Sequence, residues 1–119
     1  MRGNPDDAAY LWDMLDAAKA AMSFSEGFNF EQYSHDRKAQ WAVERAIEII
    51  GEAARHVSPV FQSSHPEIPW LQIVAQRNVL AHEYGEIQQE RLWALLQNRL
   101  PQLILALENC MQPMEYLGT

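Results

Sequence analysis

One cysteine, Cys110, stands in 119 residues. An internal disulfide is therefore impossible and no cluster of thiolates can hold zinc, which fits a reducing compartment and a core thiol. Long apolar runs are missing too. Nothing approaches the roughly 20 apolar residues of a membrane span, and Met1 to Pro5 opens no apolar signal stretch, so a cytoplasmic protein with no membrane attachment is expected. Positive charge is scarce: nine Lys and Arg stand against 16 Asp and Glu, a net charge of −7. Affinity for a polyanion comes largely from cations that neutralise phosphates, so any nucleic-acid cleft must be built from few residues, such as Arg37, Arg45, Arg55 and Arg77. An acidic body also suits a more basic protein partner.

What is present is an ordinary globular composition, 48% hydrophobic and 21% charged, which excludes a disordered, collagen-like or repeat-built chain. A chain of this length forms one domain, 1–119, with a core at about 6–111 and a frayed tail over 112–119. Tyr10, Leu11, Met14, Leu15, Ala18, Ala21 and Met22 recur at helical spacing and Gly27 is a natural stop. Phe24, Phe28 and Phe30 then plug the bundle end, with Asn29 capping a brief turn to Tyr33. A second helix begins near His35 or Asp36, its broad apolar face including Trp41, Val43, Ile47, Ile50, Ala53, Ala54 and Val57. Gly51 within it hints at the close approach of another helix. Ser58 to Pro69 carries three prolines and reads as a loop with at most one helical turn. Pro69 suits the first position of a third helix that ends near His82 to Gly85. A fourth helix, about Gln88 to Met111, must kink or break at Pro101. No run of alternating β-branched residues occurs. The fold class is all-α, a four- to five-helix up-and-down bundle without a sheet.

Reactive side chains gather at the end of the third helix, in Arg77, Asn78, Val79, Leu80, Ala81, His82, Glu83 and Tyr84. At about 100° per residue Tyr84 returns to the azimuth of Arg77, whereas His82 is offset by about 140°. Either the helix ends at His82 and re-aims the ring, or another chain completes the site. Cleaving RNA without a metal needs a base near neutral pH for the ribose 2′-OH and a fixed positive charge for the phosphorane, and histidine with arginine supplies both. On residues alone, a C-terminal charge cap and a hydrogen-bonded ring explain the same types.

The chain resembles the HepT-like branch of the HEPN superfamily from about Asp6 to Glu108. The matching pieces are Arg37, the run Ala46 to Ala54, His65 to Trp70, Arg77 to Tyr84, and Leu100 with Pro101. The Arg-x4-His-x-Tyr pattern is intact. The resemblance implies a metal-independent endoribonuclease without a cofactor, with Arg77 and His82 catalytic and Asn78 and Tyr84 in support. It also implies a homodimer whose facing motifs build one cleft, and a toxin–antitoxin pair in which a nucleotidyltransferase of the MNT type is the antitoxin. That partner can transfer AMP to the motif tyrosine, here Tyr84, placing negative charge two residues from His82.

Other candidates carry less. His35, His56 and His65 fall on different elements without metal-ligand spacing, so no metal site is expected. Glu48 and Glu52, four apart, read as a solvated edge with Arg45 and Arg55, or as an outer layer that orients Arg77. Trp12, Trp41, Trp70 and Trp93 read chiefly as core or dimer interface, with base stacking as the alternative. A second function class stays open: a non-catalytic helical nucleotide-binding or docking subunit of a nucleotidyltransferase.

Overall fold

Short polar side chains fix where the helices begin. The structure, a computed structural model, describes the backbone of residues 6–82 and 89–117 and the side chains of residues 6–76 and 89–111. Seven helices and no strand occur among the described residues. Helix α1 (Asp7–Phe24) ends before Gly27, whose φ of +82° lies in the left-handed region that glycine enters at little cost. Helix α2 (Phe30–Ser34) opens on a reciprocal cap: Asn29 accepts from the Gln32 N–H, and the Gln32 side chain accepts from the Asn29 N–H, both at 2.8 Å. Asp36 caps α3 (Arg37–His56) by accepting from the Ala39 N–H at 2.9 Å. Ser58 caps the six-residue α4 (Pro59–Ser64), with Pro59 in its first turn.

Three boundaries differ from expectation. Pro69 stands one residue ahead of α5 (Trp70–His82), where its carbonyl accepts from the Ile73 N–H at 3.0 Å. The expected fourth helix is two, α6 (Gln89–Asn98) and α7 (Leu100–Leu117). The break falls ahead of Pro101, which as the second residue of α7 gives up no helical N–H bond. Helical backbone continues through Leu117, past Pro113, into the stretch expected to fray.

Helix α3 is the centre of the bundle, lying against both α1 and α5, while α7 packs on α1 and α6. Its buried face is Val43, Ala46, Ile47, Ile50, Ala53 and Ala54, with Gly51 buried beside them. Ala17, Ala18 and Ala21 of α1 are buried as well, small side chains that let two helices approach closely. Leu92, Leu96, Leu100, Leu103 and Leu107 carry one buried stripe across the α6–α7 break, each contributing about 1.5–3 kcal/mol by leaving water. Tyr33 is fully buried and meets Trp93 at a ring separation of 5.3 Å. Three aromatic readings are corrected. Trp12 and Trp41 are 57% and 61% exposed and so are not core residues, which leaves their interface reading untouched; Trp41 sits about 200° around α3 from Val43, opposite the buried face. Phe24 is also exposed, leaving Phe28 and Phe30 to pack against the core.

Candidate active site

The reactive motif rides on a helix that is firmly seated at its start. Trp70, at the head of α5, is buried, its indole N–H donates to the His65 carbonyl at 3.0 Å, and its ring meets Phe61 edge-on. From there α5 runs against α3 to His82, so Arg77, Asn78 and His82 all fall within helical backbone. Their side chains, and Tyr84 entirely, lie outside the described residues. Along a regular helix Arg77 and His82 are about 8.7 Å apart at Cα and about 140° apart in azimuth. Helical backbone through both residues keeps that offset.

A groove of about 790 Å³ opens among α3, α5, α6 and α7. Ile47 and Ile50 of α3 and Ile73 of α5 line it with apolar surface, while Arg91, Arg99 and Gln76 add polar groups from α6, the α6–α7 break and α5. Gln76 directly precedes Arg77 in the chain. Arg99 donates to the Gln72 side-chain oxygen at 3.3 Å, tying that break to α5. Sequence reasoning missed Arg91 and Arg99 as candidates for a cationic cleft. Only the groove that they share with α5 reveals them.

Gln89, the first residue of α6, fixes where that helix starts. Its side-chain oxygen accepts from the Tyr33 hydroxyl at 2.7 Å and its amide donates to Glu44 at 2.8 Å. Burial, and secondarily the nearby Glu44 charge, pushes the Tyr33 phenol well above its ordinary range, so it stays a donor.

The two carboxylates singled out on α3 have local cationic neighbours. Glu48 lies 4.0 Å from Arg45, and Glu52 pairs with Arg55 at 2.8 Å and with His56 at 3.0 Å. The contacts with Arg45 and Arg55 are those of the solvated-edge reading, although Glu52 Oε1 is shut off from solvent; the reading in which these carboxylates orient Arg77 turns on a side chain outside the described residues. The hydrogen bond to Glu52 holds the Arg55 guanidinium above its usual pKa. Of the four cations expected to build a cleft, Arg55 is thus engaged on its own helix, whereas Arg37 and Arg45 share an exposed face of α3.

Each histidine outside the motif has local company. His35 contacts the Glu31 carbonyl at 2.8 Å, His56 stacks on Tyr10 with ring centroids 5.2 Å apart, and His65 stacks on Phe61 and lies 3.0 Å from Glu67. A backbone hydrogen bond, then the one from His65, lowers the pKa of the Glu67 carboxyl. Among the described residues no three His, Cys, Asp or Glu side chains converge as a metal site. Burial raises the pKa of the Cys110 thiol, which donates to the Leu107 carbonyl. No described helix is long and apolar enough to cross a membrane.

Comparison with known proteins adds the family context. The family model described as ribonuclease HepT-like matches residues 14–110. A Methanocaldococcus jannaschii protein provisionally named RNase MJ1380 is 33% identical over 82% of this chain and 90% of its own length. A second from that organism, provisionally named RNase MJ0127, is 32% identical over 92% of this chain and 91% of itself. A Thermococcus cleftensis protein named as a probable ribonuclease HepT is 37% identical over 79% of this chain and 86% of itself. No solved structure matches the chain.

Proposed function

The chain belongs to the HepT-like ribonuclease family, and from that premise we propose that it is a metal-independent endoribonuclease, the toxin of a HEPN/MNT toxin–antitoxin pair. The observation that carries the reading is an intact Arg77-x4-His82-x-Tyr84 motif, with Arg77 and His82 on one helix, inside the matched residues. In this reading neutral His82 takes the proton from a ribose 2′-OH, whose oxygen forms a new bond to the adjacent phosphorus. Arg77 balances the charge of the phosphorane, with Asn78 beside it. The bond from phosphorus to the 5′ oxygen breaks, and a second imidazole or a water returns a proton to that oxygen. The products are a 2′,3′-cyclic phosphate and a free 5′-OH.

The 140° offset between Arg77 and His82 supports a two-fold homodimer, in which a facing copy supplies the groups that one helix cannot aim at one point. The antitoxin is a nucleotidyltransferase that adenylylates Tyr84, and bulky negative charge two residues from His82 competes with substrate phosphate. A second reading draws on the net charge of −7: a silent subunit that docks a nucleotidyltransferase through an acidic surface.

The test is incubation of the purified protein with total cellular RNA in EDTA, with the product ends identified. Cleavage that survives chelation and leaves cyclic-phosphate ends supports the ribonuclease. Intact RNA in the presence of a folded dimer supports the docking subunit.

A further inference from the structure

On an acidic protein, three of the nine cations fall within nine residues on α3: Arg37, Lys38 and Arg45, all exposed. Between them stands Trp41, 61% exposed, with the Arg37 guanidinium 4.9 Å from the ring centroid. The spacing Arg37, Trp41, Arg45 advances four residues at a time, so the three share one side of the helix within about 80°. Of the nearby carboxylates, Asp36 accepts from the Ala39 N–H and Glu44 accepts from Gln89, while Glu48, 4.0 Å from Arg45, is a partner that a phosphate would displace. Leaving a large indole in water costs stability that burial would return, and Trp41 contributes to no core contact that explains it.

The position of this face matters. Ile47 and Ile50 of α3 line the groove with Ile73 and Gln76 of α5. They stand about 120° and 180° around α3 from Trp41, so the indole occupies a separate, outward face of the bundle.

We propose that Trp41, flanked by Arg37 and Arg45, is a subsite for single-stranded RNA, stacking one base of the strand on the outer face of α3 while the two arginines and Lys38 hold backbone phosphates. This rests on the ribonuclease reading and adds a substrate class to it, because a paired base offers no free face to an indole. A guanidinium over one face of the ring pre-orders the platform and can remain as the second layer of the stack.

The test measures binding apart from cleavage. Quenching of tryptophan fluorescence by a 12-nucleotide oligouridylate in EDTA is compared for His82→Ala and for His82→Ala with Trp41→Ala, Trp41→Phe, Arg37→Ala or Arg45→Ala, the Trp41 variants being read by anisotropy of a labelled oligonucleotide. Trp41→Ala is expected to weaken binding roughly ten-fold or more, Trp41→Phe to keep most of the affinity, and each arginine variant to reduce the salt dependence by about one ion. Unchanged affinity in Trp41→Ala overturns the proposal, as does conversion of a wild-type dimer to monomer by that substitution, which makes the face a contact between copies. Binding that depends on Trp41 in a protein that cuts no RNA keeps the subsite and removes the ribonuclease. Cleavage and binding indifferent to Trp41 do the reverse.

Discussion

The Tyr33 hydroxyl donates to the Gln89 side-chain oxygen at 2.7 Å, joining residues 56 positions apart. Through the second bond, from Gln89 to Glu44, α2, α3 and α6 meet at one amide. Tyr33→Phe deletes one link and is expected to cost about 1 kcal/mol in urea denaturation. The pH dependence has a definite sign. Because the folded state raises this pKa, its contribution is complete below about pH 10 and is lost as pH rises beyond that, when the unfolded chain releases the phenolic proton first. Tyr33→Phe should flatten that alkaline loss.

Asp7 joins the two ends of the α1–α3 layer. It is only 4% exposed and accepts from the Ser58 N–H at 2.9 Å and the Ser58 hydroxyl at 2.7 Å. Asp7→Ala is expected to destabilise the fold by about 2–3 kcal/mol. The exposed Asp13→Ala should stay within about 0.5 kcal/mol, and equal effects would show that the pairing contributes nothing.

The cap at Asn29 and the start of α3 near Asp36 were legible because capping is chemistry within three residues of chain, whereas Ser58, read as the opening of a loop, caps α4. So was the leucine stripe of α6 and α7, which the helical period displays. The Asp7–Ser58 and Tyr33–Gln89 bonds were not, since partners 51 and 56 residues apart leave no local trace. Trp41 was assigned to core or interface by residue type, and its angle from Val43 already spoke against the core half of that reading. At the candidate site the motif was plain in the sequence, as was the 140° offset between Arg77 and His82. Arg91 and Arg99 became visible only through the groove that they line together with α5.

The two-fold reading of the site predicts the mass in solution. Sedimentation should give twice the 13.7 kDa of the chain. A monomer that cleaves RNA at full rate would show that one motif suffices.

Tyr84→Phe removes the acceptor proposed for AMP. With the nucleotidyltransferase partner and ATP, the wild-type chain should gain mass in AMP steps while the variant gains none and continues to cleave RNA. Undiminished adenylylation of the variant would move the modification to another residue.

The central claim is that Arg77 and His82 perform the chemistry, and cleavage of RNA in EDTA by His82→Ala, at matched fold and oligomeric state, tests it most directly. The account predicts a fall of about 100-fold or more, the scale of a lost general base, with Arg77→Ala falling likewise. Cleavage by His82→Ala at the wild-type rate would contradict it.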